Sequence, residues 1–191
     1  MNSNTFKIRV GIDVDGVLRD FTGQIKKLYK QATGKDIDTN KIEWGFMYKH
    51  TVDGDTIAHK VWTDQSWLED VFLNAPILNE KTVEGYNLFC NSNFCDVYIV
   101  SAQKKGTENL TRQWLKKNGF DKHIDEIYTG KKLEAHCNVL IDDKYGNVFE
   151  YNNAKRMGIL IDQPWNSDKF VPVRVANVYE AYKLLEKQYG N

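Results

Sequence analysis

Short apolar runs and amphipathic stretches alternate along most of the chain. Ile8, Val10 and Ile12 predict a short, buried, β-branched strand that ends abruptly at Asp13. Asp96-Val97-Tyr98-Ile99-Val100 predicts a second strand ending at Ser101, and Val139-Leu140-Ile141 a third ending in Asp142-Asp143. Gly158-Ile159-Leu160-Ile161 reads as another, and Ile127-Tyr128 as a shorter one running into Thr129-Gly130-Lys131-Lys132. Helical spacing fills the gaps. A stripe of Phe21, Ile25, Leu28 and Tyr29 predicts a helix over Asp20 to Gln31, stopped by Thr33-Gly34. Val83, Tyr86 and Phe89 share a face of a helix over Thr82 to Asn91, and Thr107 to Lys117 is closed by Asn118-Gly119. Asn147 is placed to cap a helix reaching Met157, and Asn177 a final one to about Gln188. Pro164 and Pro172 mark a loop between them.

Strands alternating with helices predict an α/β fold, a central parallel sheet flanked by helices. The stretch between Val17 and Glu80 breaks that rhythm, with no strand-like run. Lys35 to Asp55 is mixed, with Trp44, Phe46, Met47 and Tyr48 clustered, and Thr56 to about Phe72 predicts one helix carrying Ile57, Val61, Trp62 and Leu68. The expectation is a small helical cap inserted after the first strand: residues 17–79 as insert, residues 1–16 and 80–191 as core.

Composition narrows the function classes. The 191 residues carry 26 Lys and Arg against 26 Asp and Glu, so nothing favours bulk attraction to nucleic acid or a membrane surface. No apolar run reaches membrane-spanning length, and Met1-Asn2-Ser3-Asn4-Thr5 lacks the apolar core of a signal peptide. Cys90, Cys95 and Cys137 are odd in number and form no CxxC, which fits a reducing cytoplasm. His50, His59, His123 and His136 show no metal-ligand spacing and read as surface or half-buried residues.

The chemistry lies at the strand ends, where open α/β sheets bind ligands. Asp13 and Asp15 are two residues apart, so both face one side if the backbone stays extended. Two such anions call for a cation between them or a proton on one. The same DxDG string also reads as a turn. It is not a calcium loop, because Val17, Arg19 and Gln24 stand where oxygen donors and Glu are needed. Asp142-Asp143 is a second acidic pair, either completing a metal's oxygen shell or forming a capping turn. Ser101 offers a hydroxyl at a strand end, either to a phosphoryl oxygen or as a helix cap, and Lys131 or Lys132 a point charge for phosphate. No GxSxG, GxxxxGK[ST] or GxGxxG occurs.

Taken together, these motifs resemble the haloacid dehalogenase (HAD) superfamily. Asp13-Val14-Asp15-Gly16-Val17-Leu18 is similar to its first motif, Ile99-Val100-Ser101 to its second, Lys132 to its third and Leu140-Ile141-Asp142-Asp143 to its fourth. Within it, Asp13 to Phe21 resembles the DxDGVLADF opening of the 5′(3′)-deoxyribonucleotidases. Ile161-Asp162-Gln163-Pro164-Trp165-Asn166 is similar to their DQPYN stretch, with Arg174-Val175 before the last helix. Arg19 departs from that family's usual Ala and is expected at the mouth of the site, and Ala102 replaces a second hydroxyl after Ser101.

The resemblance implies a Rossmann-like HAD core and a magnesium-dependent phosphomonoester hydrolase, most closely a 5′-nucleotidase for (deoxy)ribonucleoside monophosphates. Asp13 would be the nucleophile and Asp15 the acid and base. Ser101, Ala102 and Lys132 would hold the phosphate, and Asp13, Asp15 (through its backbone carbonyl), Asp142 and Asp143 would serve Mg²⁺. Phe21, Arg19, Trp44 and Phe46 are candidates to meet the nucleoside, with cap core the other reading of the aromatic ones and at least an equal one for Trp44 and Phe46. Another small phosphoester or a nucleic-acid 3′-phosphate is the alternative substrate, and a non-catalytic binding protein the alternative class. A cytoplasmic monomer or homodimer with a small nucleotide as its partner completes the expectation.

Overall fold

The computed structural model describes residues 7–38, 42–124 and 127–190, so Met1–Thr5 lies outside the described residues. Strand β1 (Ile8–Ile12) runs through the middle of a six-stranded sheet. Its partners are β4 (Cys95–Val100), β5 (Ile127–Tyr128), β6 (Val139–Asp142), β7 (Met157–Ile161) and β8 (Arg174–Val175). The order is β5-β4-β1-β6-β7-β8 and every neighbouring pair is parallel. β1 is in register with β4 through Ile12 and Ile99, and with β6 through Ile12 and Ile141.

A parallel sheet buries both faces, which is why its strands read as nearly continuous apolar runs. On one face Val10, Ile12, Val97, Ile99 and Ile141 join a core with Tyr86 and Phe89 of α4 (Lys81–Asn91) and Ala181 and Leu185 of α7 (Val178–Tyr189). Trp114 and Leu115 of α5 (Glu108–Lys117) complete it. A separate cluster joins Val100 and Leu140 to Tyr151 of α6 (Tyr145–Asn153).

The chain between β1 and α4 builds its own core. α1 (Phe21–Thr33), a hairpin of β2 (Thr51–Val52) and β3 (Asp55–Thr56), α2 (Ile57–Thr63) and α3 (Gln65–Asn74) bring together Ile25, Ile57, Val61, Val71 and Phe72, all buried. This segment leaves and returns side by side. The amide of Asp20 donates to the Pro76 carbonyl at 2.9 Å, and that of Leu78 to the Leu18 carbonyl at 2.8 Å.

Three local expectations change. The helix expected over Thr56 to Phe72 is two helices, because the Asp64 side chain accepts from the amides of Ser66 and Trp67 and caps α3 as α2 ends. The stretch expected to hold no strand contains the β2–β3 hairpin, whose two-residue strands are too short to show a period. Asn147 lies inside α6 rather than capping it: Lys144 occupies the cap position, the helix ends at Asn153, and Met157 already belongs to β7.

α4 and α7 meet closely at Gly85. A Cβ there would lie 2.7 Å from both the Tyr179 Cα and the Val178 carbonyl carbon, backbone atoms that cannot rotate away. We expect Gly85→Ala to destabilise the fold by about 1–3 kcal/mol despite the better helix propensity of alanine. Urea unfolding followed by far-UV circular dichroism measures it, and an unchanged midpoint would contradict the close packing.

Candidate functional site

Sheet order decides which residues meet. Since β1 lies between β4 and β6, the residues just beyond Ile12, Val100 and Ile141 emerge side by side at the carboxyl edge. The chain builds outward from β1 to β4 and β5, then crosses to begin the other half at β6, so this edge is the topological switch point. A cavity of about 340 Å³ opens there, of a size that suits a small molecule. From the sheet edge it is lined by Asp13, Asp15, Gly16, Ser101, Ala102, Gln103, Lys132 and Asp143. From the insert come Phe21, Thr22, Trp44, Phe46, Trp62 and Phe72. Phe21 and Trp62 each meet Phe72 with ring centroids 5.8 Å apart, and Trp44 meets Trp165 at 6.5 Å.

One buried ammonium organises the acidic groups. Lys132, at the start of a 3-10 turn (Lys132–Ala135), places Nζ 2.5 Å from Asp13 Oδ2 and 2.6 Å from Asp142 Oδ2. The other oxygen of Asp13 accepts from the Val14 amide at 2.8 Å. Asp142 is fully enclosed, and its carboxylate also takes the Lys144 amide at 2.8 Å and the Asn147 side-chain amide at 2.9 Å. Burial pushes the Asp13 carboxyl up to about 7, helped by the charges of Asp142 and Asp15 and opposed by Lys132. Asp143 is also raised, by burial first and then by Asp142 and Asp13. Burial works against the Lys132 charge, but Asp13 and Asp142 outweigh it and hold the ammonium protonated.

Oxygens of Asp13, Asp142 and Asp143 lie within 4.8 Å of one another. Hard carboxylate donors in this number suit a divalent cation. Gly16 makes the closeness possible. Its φ of 75° is one that L side chains avoid, and any Cβ would collide with the Asp143 carboxylate.

Gln163-Pro164-Trp165-Asn166, which in the sequence stands out only by resemblance, braces both acidic motifs. Trp165 Nε1 donates to Asp143 Oδ2 at 3.0 Å, and Gln163 Nε2 donates to the Gly16 carbonyl at 2.9 Å. Buried Asn166 donates to the carbonyls of Asp143 (2.7 Å) and Ile161 (2.9 Å). The Pro164-Trp165-Asn166 string carried turn chemistry, but nothing in its spacing pointed to partners so far away in the chain.

Arg19 is the correction. Expected at the mouth of the site as a substrate contact, it is instead 0% exposed and does not line the cavity. Its Nε donates to Asp15 Oδ1 at 2.7 Å, and its remaining donors reach the Phe72 carbonyl and Thr111 Oγ1. The rings of Phe72 and Trp114 pack against it, so a charged residue that reads as exposed is enclosed by its partners.

The family model of the 5′ nucleotidase, deoxy (pyrimidine), cytosolic type C protein (NT5C) matches residues 7–189. Among solved structures, a haloacid dehalogenase-like hydrolase from Streptococcus pneumoniae is 14% identical with a TM-score of 0.65, over 94% of this chain and 98% of that one. A HAD family hydrolase from Deinococcus radiodurans R1, with bound phosphate and sodium, is 14% identical with a TM-score of 0.61, over 96% and 97%. The HAD-hydrolase YfnB from Bacillus subtilis, bound to magnesium, is 12% identical with a TM-score of 0.59, over 95% and 99%. At these identities the likeness is one of fold, and the fold is the α/β arrangement expected. No curated sequence matches the chain.

The raised carboxylates make stability pH-dependent in a definite direction. A carboxyl at about 7 in the fold and about 3.9 unfolded binds more protons folded than unfolded between those values, so stability falls as pH rises through that window. In metal-free buffer we expect Asp143→Asn, which removes one of the crowded charges, to melt higher than the parent protein at pH 8. The gap should shrink towards pH 5. Differential scanning calorimetry across that range tests this, and a gap independent of pH would refute it.

Proposed function

The chain belongs to the family of the cytosolic type C deoxy (pyrimidine) 5′-nucleotidases, and from that membership we propose that it hydrolyses (deoxy)ribonucleoside monophosphates through an aspartyl-phosphate on Asp13. The observation that carries this reading is the meeting of Asp13, Asp15, Ser101, Lys132 and Asp143 around one cavity. They come from distant parts of the chain, and each has a place in phosphoryl transfer.

In this reading a carboxylate oxygen of Asp13 attacks phosphorus, and the bond to the nucleoside oxygen breaks. Asp15 gives its proton to that departing oxygen. It then takes a proton from the water that attacks the aspartyl-phosphate, which frees inorganic phosphate and restores Asp13. Ser101 and the backbone at Ala102 face the transferring group, and Lys132 offsets its charge. A divalent cation, Mg²⁺ in this reading, supplies charge neutralisation that lets a carboxylate approach a phosphate dianion. Asp13, Asp143 and the Asp15 carbonyl would hold it, with Asp142 in support. Asp142 keeps Lys132 in place, since its own oxygens are occupied by donors of the chain.

The insert, residues 17–79, acts as the cap over the site. Phe21, Trp44 and Phe46 offer faces on which a base can stack without its identity being demanded. Trp62, Phe72 and Trp165 extend that aromatic wall. Among the described residues no helix is long and apolar enough to cross a membrane, and all three cysteines are free thiols. We place the protein in the cytoplasm as a monomer or homodimer.

Asp13→Asn is expected to abolish phosphate release in magnesium buffer while leaving the circular dichroism spectrum intact. Near-parental turnover would remove Asp13 as the nucleophile. Ser101→Ala should lower kcat by roughly tens- to hundreds-fold, the loss of one donor to developing negative charge. A steady-state comparison of deoxynucleoside 5′-monophosphates with sugar phosphates and 3′-phosphorylated oligonucleotides fixes the substrate. Preference for either of the latter two would overturn the nucleotidase reading.

A further inference from the structure

We propose that Arg19 is a positioning residue of the reaction: it fixes the carboxylate of Asp15 and ties it to the insert through the C-terminal end of α3. The proposal rests on Asp15 being the acid and base described above and explains how its side chain is aimed.

Arg19 follows the Gly16 turn, and the Gly16 amide donates to the Arg19 carbonyl at 2.9 Å. Its guanidinium cannot lose its charge, and it has no contact with solvent. Its N–H groups need acceptors there. Asp15 supplies one, with Oδ1 2.7 Å from Nε, an oxygen that accepts whether or not the other one carries a proton. Engaging Oδ1 leaves the other oxygen outside this contact, on a side chain that is 27% exposed and belongs to a residue lining the cavity.

The guanidinium is itself held from every side. One amino group donates to the Phe72 carbonyl at 2.9 Å and the other to Thr111 Oγ1 at 3.3 Å. The rings of Phe72 and Trp114 lie 4.7 and 5.2 Å from its central carbon. α3 has no basic residue in its last turn. Donors from outside meet its last carbonyls instead: Arg19 at Phe72, Lys117 at Leu73 and, just beyond the helix, Trp114 at Ala75. A cation at a helix C-terminus is favourable, so α3 and Asp15 hold Arg19 from opposite ends.

Phe72 therefore does two things. Its ring lines the cavity and its carbonyl anchors Arg19. A shift of α3 is transmitted through one rigid fork to the proton-transferring carboxylate, so Asp15 is aimed only while the insert is seated.

The test separates proton donation from binding and folding. A nucleotide releases an alkoxide that needs a proton, whereas p-nitrophenyl phosphate releases a stable phenolate that does not. The ratio kcat/KM reports formation of the phosphoenzyme, before its hydrolysis. For Arg19→Ala in magnesium buffer we expect kcat/KM on a deoxynucleoside 5′-monophosphate to fall at least about tenfold, part of the range that general acids contribute. On p-nitrophenyl phosphate it should fall no more than a few-fold. Arg19→Lys should recover part of the loss, and Thr111→Val should show the same selective loss in milder form. These two variants carry the test if Arg19→Ala does not fold by circular dichroism.

Equal losses on both substrates, or no loss on either, would overturn the proposal while parental activity and an inactive Asp13→Asn left the parent reading standing. A parental protein inactive on both substrates, or an active Asp13→Asn, would overturn that reading and this proposal with it.

Discussion

A single buried ammonium holds the carboxyl edge of the sheet together. Lys132 sits between Asp13 and Asp142, residues that end neighbouring strands, and its charge is what allows two carboxylates to be enclosed so near each other. Without it, two enclosed carboxylates would face each other with no opposite charge between them. The rest of the site is arranged in response. Asp142 spends its remaining capacity on Lys144 and Asn147 at the start of α6, which fixes where that helix begins. Asp143 is left to the cavity, steadied by the indole of Trp165. Two cations thus divide the acidic cluster, Lys132 serving one pair and Arg19 serving Asp15 alone.

This division explains why the site draws on so much of the chain. Gln163 and Asn166 reach back from the far side of β7 to the Gly16 turn and to the Asp143 backbone. Each contact gives a backbone oxygen a side-chain donor. The chemistry-bearing groups are few, but the groups that hold them in register span residues from 13 to 166.

Much of this was legible in the residues themselves. The strands show as β-branched runs because both faces of a parallel sheet are buried, and the reactive groups sit where those runs stop. Asp13, Asp15, Ser101, Lys132 and Asp143 all line one cavity for that reason. Less was legible where the cause is tertiary. The break at Asp64 depends on a side chain turning back on two amides. Arg19 reads as a solvent-facing charge because sequence gives its polarity but not its enclosure, which comes from Phe72 and Trp114, residues 53 and 95 positions away. Asn147 looks like a cap for the same reason, since its partner, Asp142, belongs to the strand before it.

The paired crossing of the insert, with Leu18 and Asp20 hydrogen-bonded to Leu78 and Pro76, has a consequence for how such a protein can vary. An excursion whose ends touch leaves its length open between them. It is held to the rest of the molecule by few further bonds, among them those of Trp114 and Lys117 to the chain at the end of α3 and of Thr111 to Arg19. The sheet and the segment between β1 and α4 can thereby vary at different speeds. Arg19, which lies inside that crossing and is bonded to both halves, is the point at which the two histories have to agree.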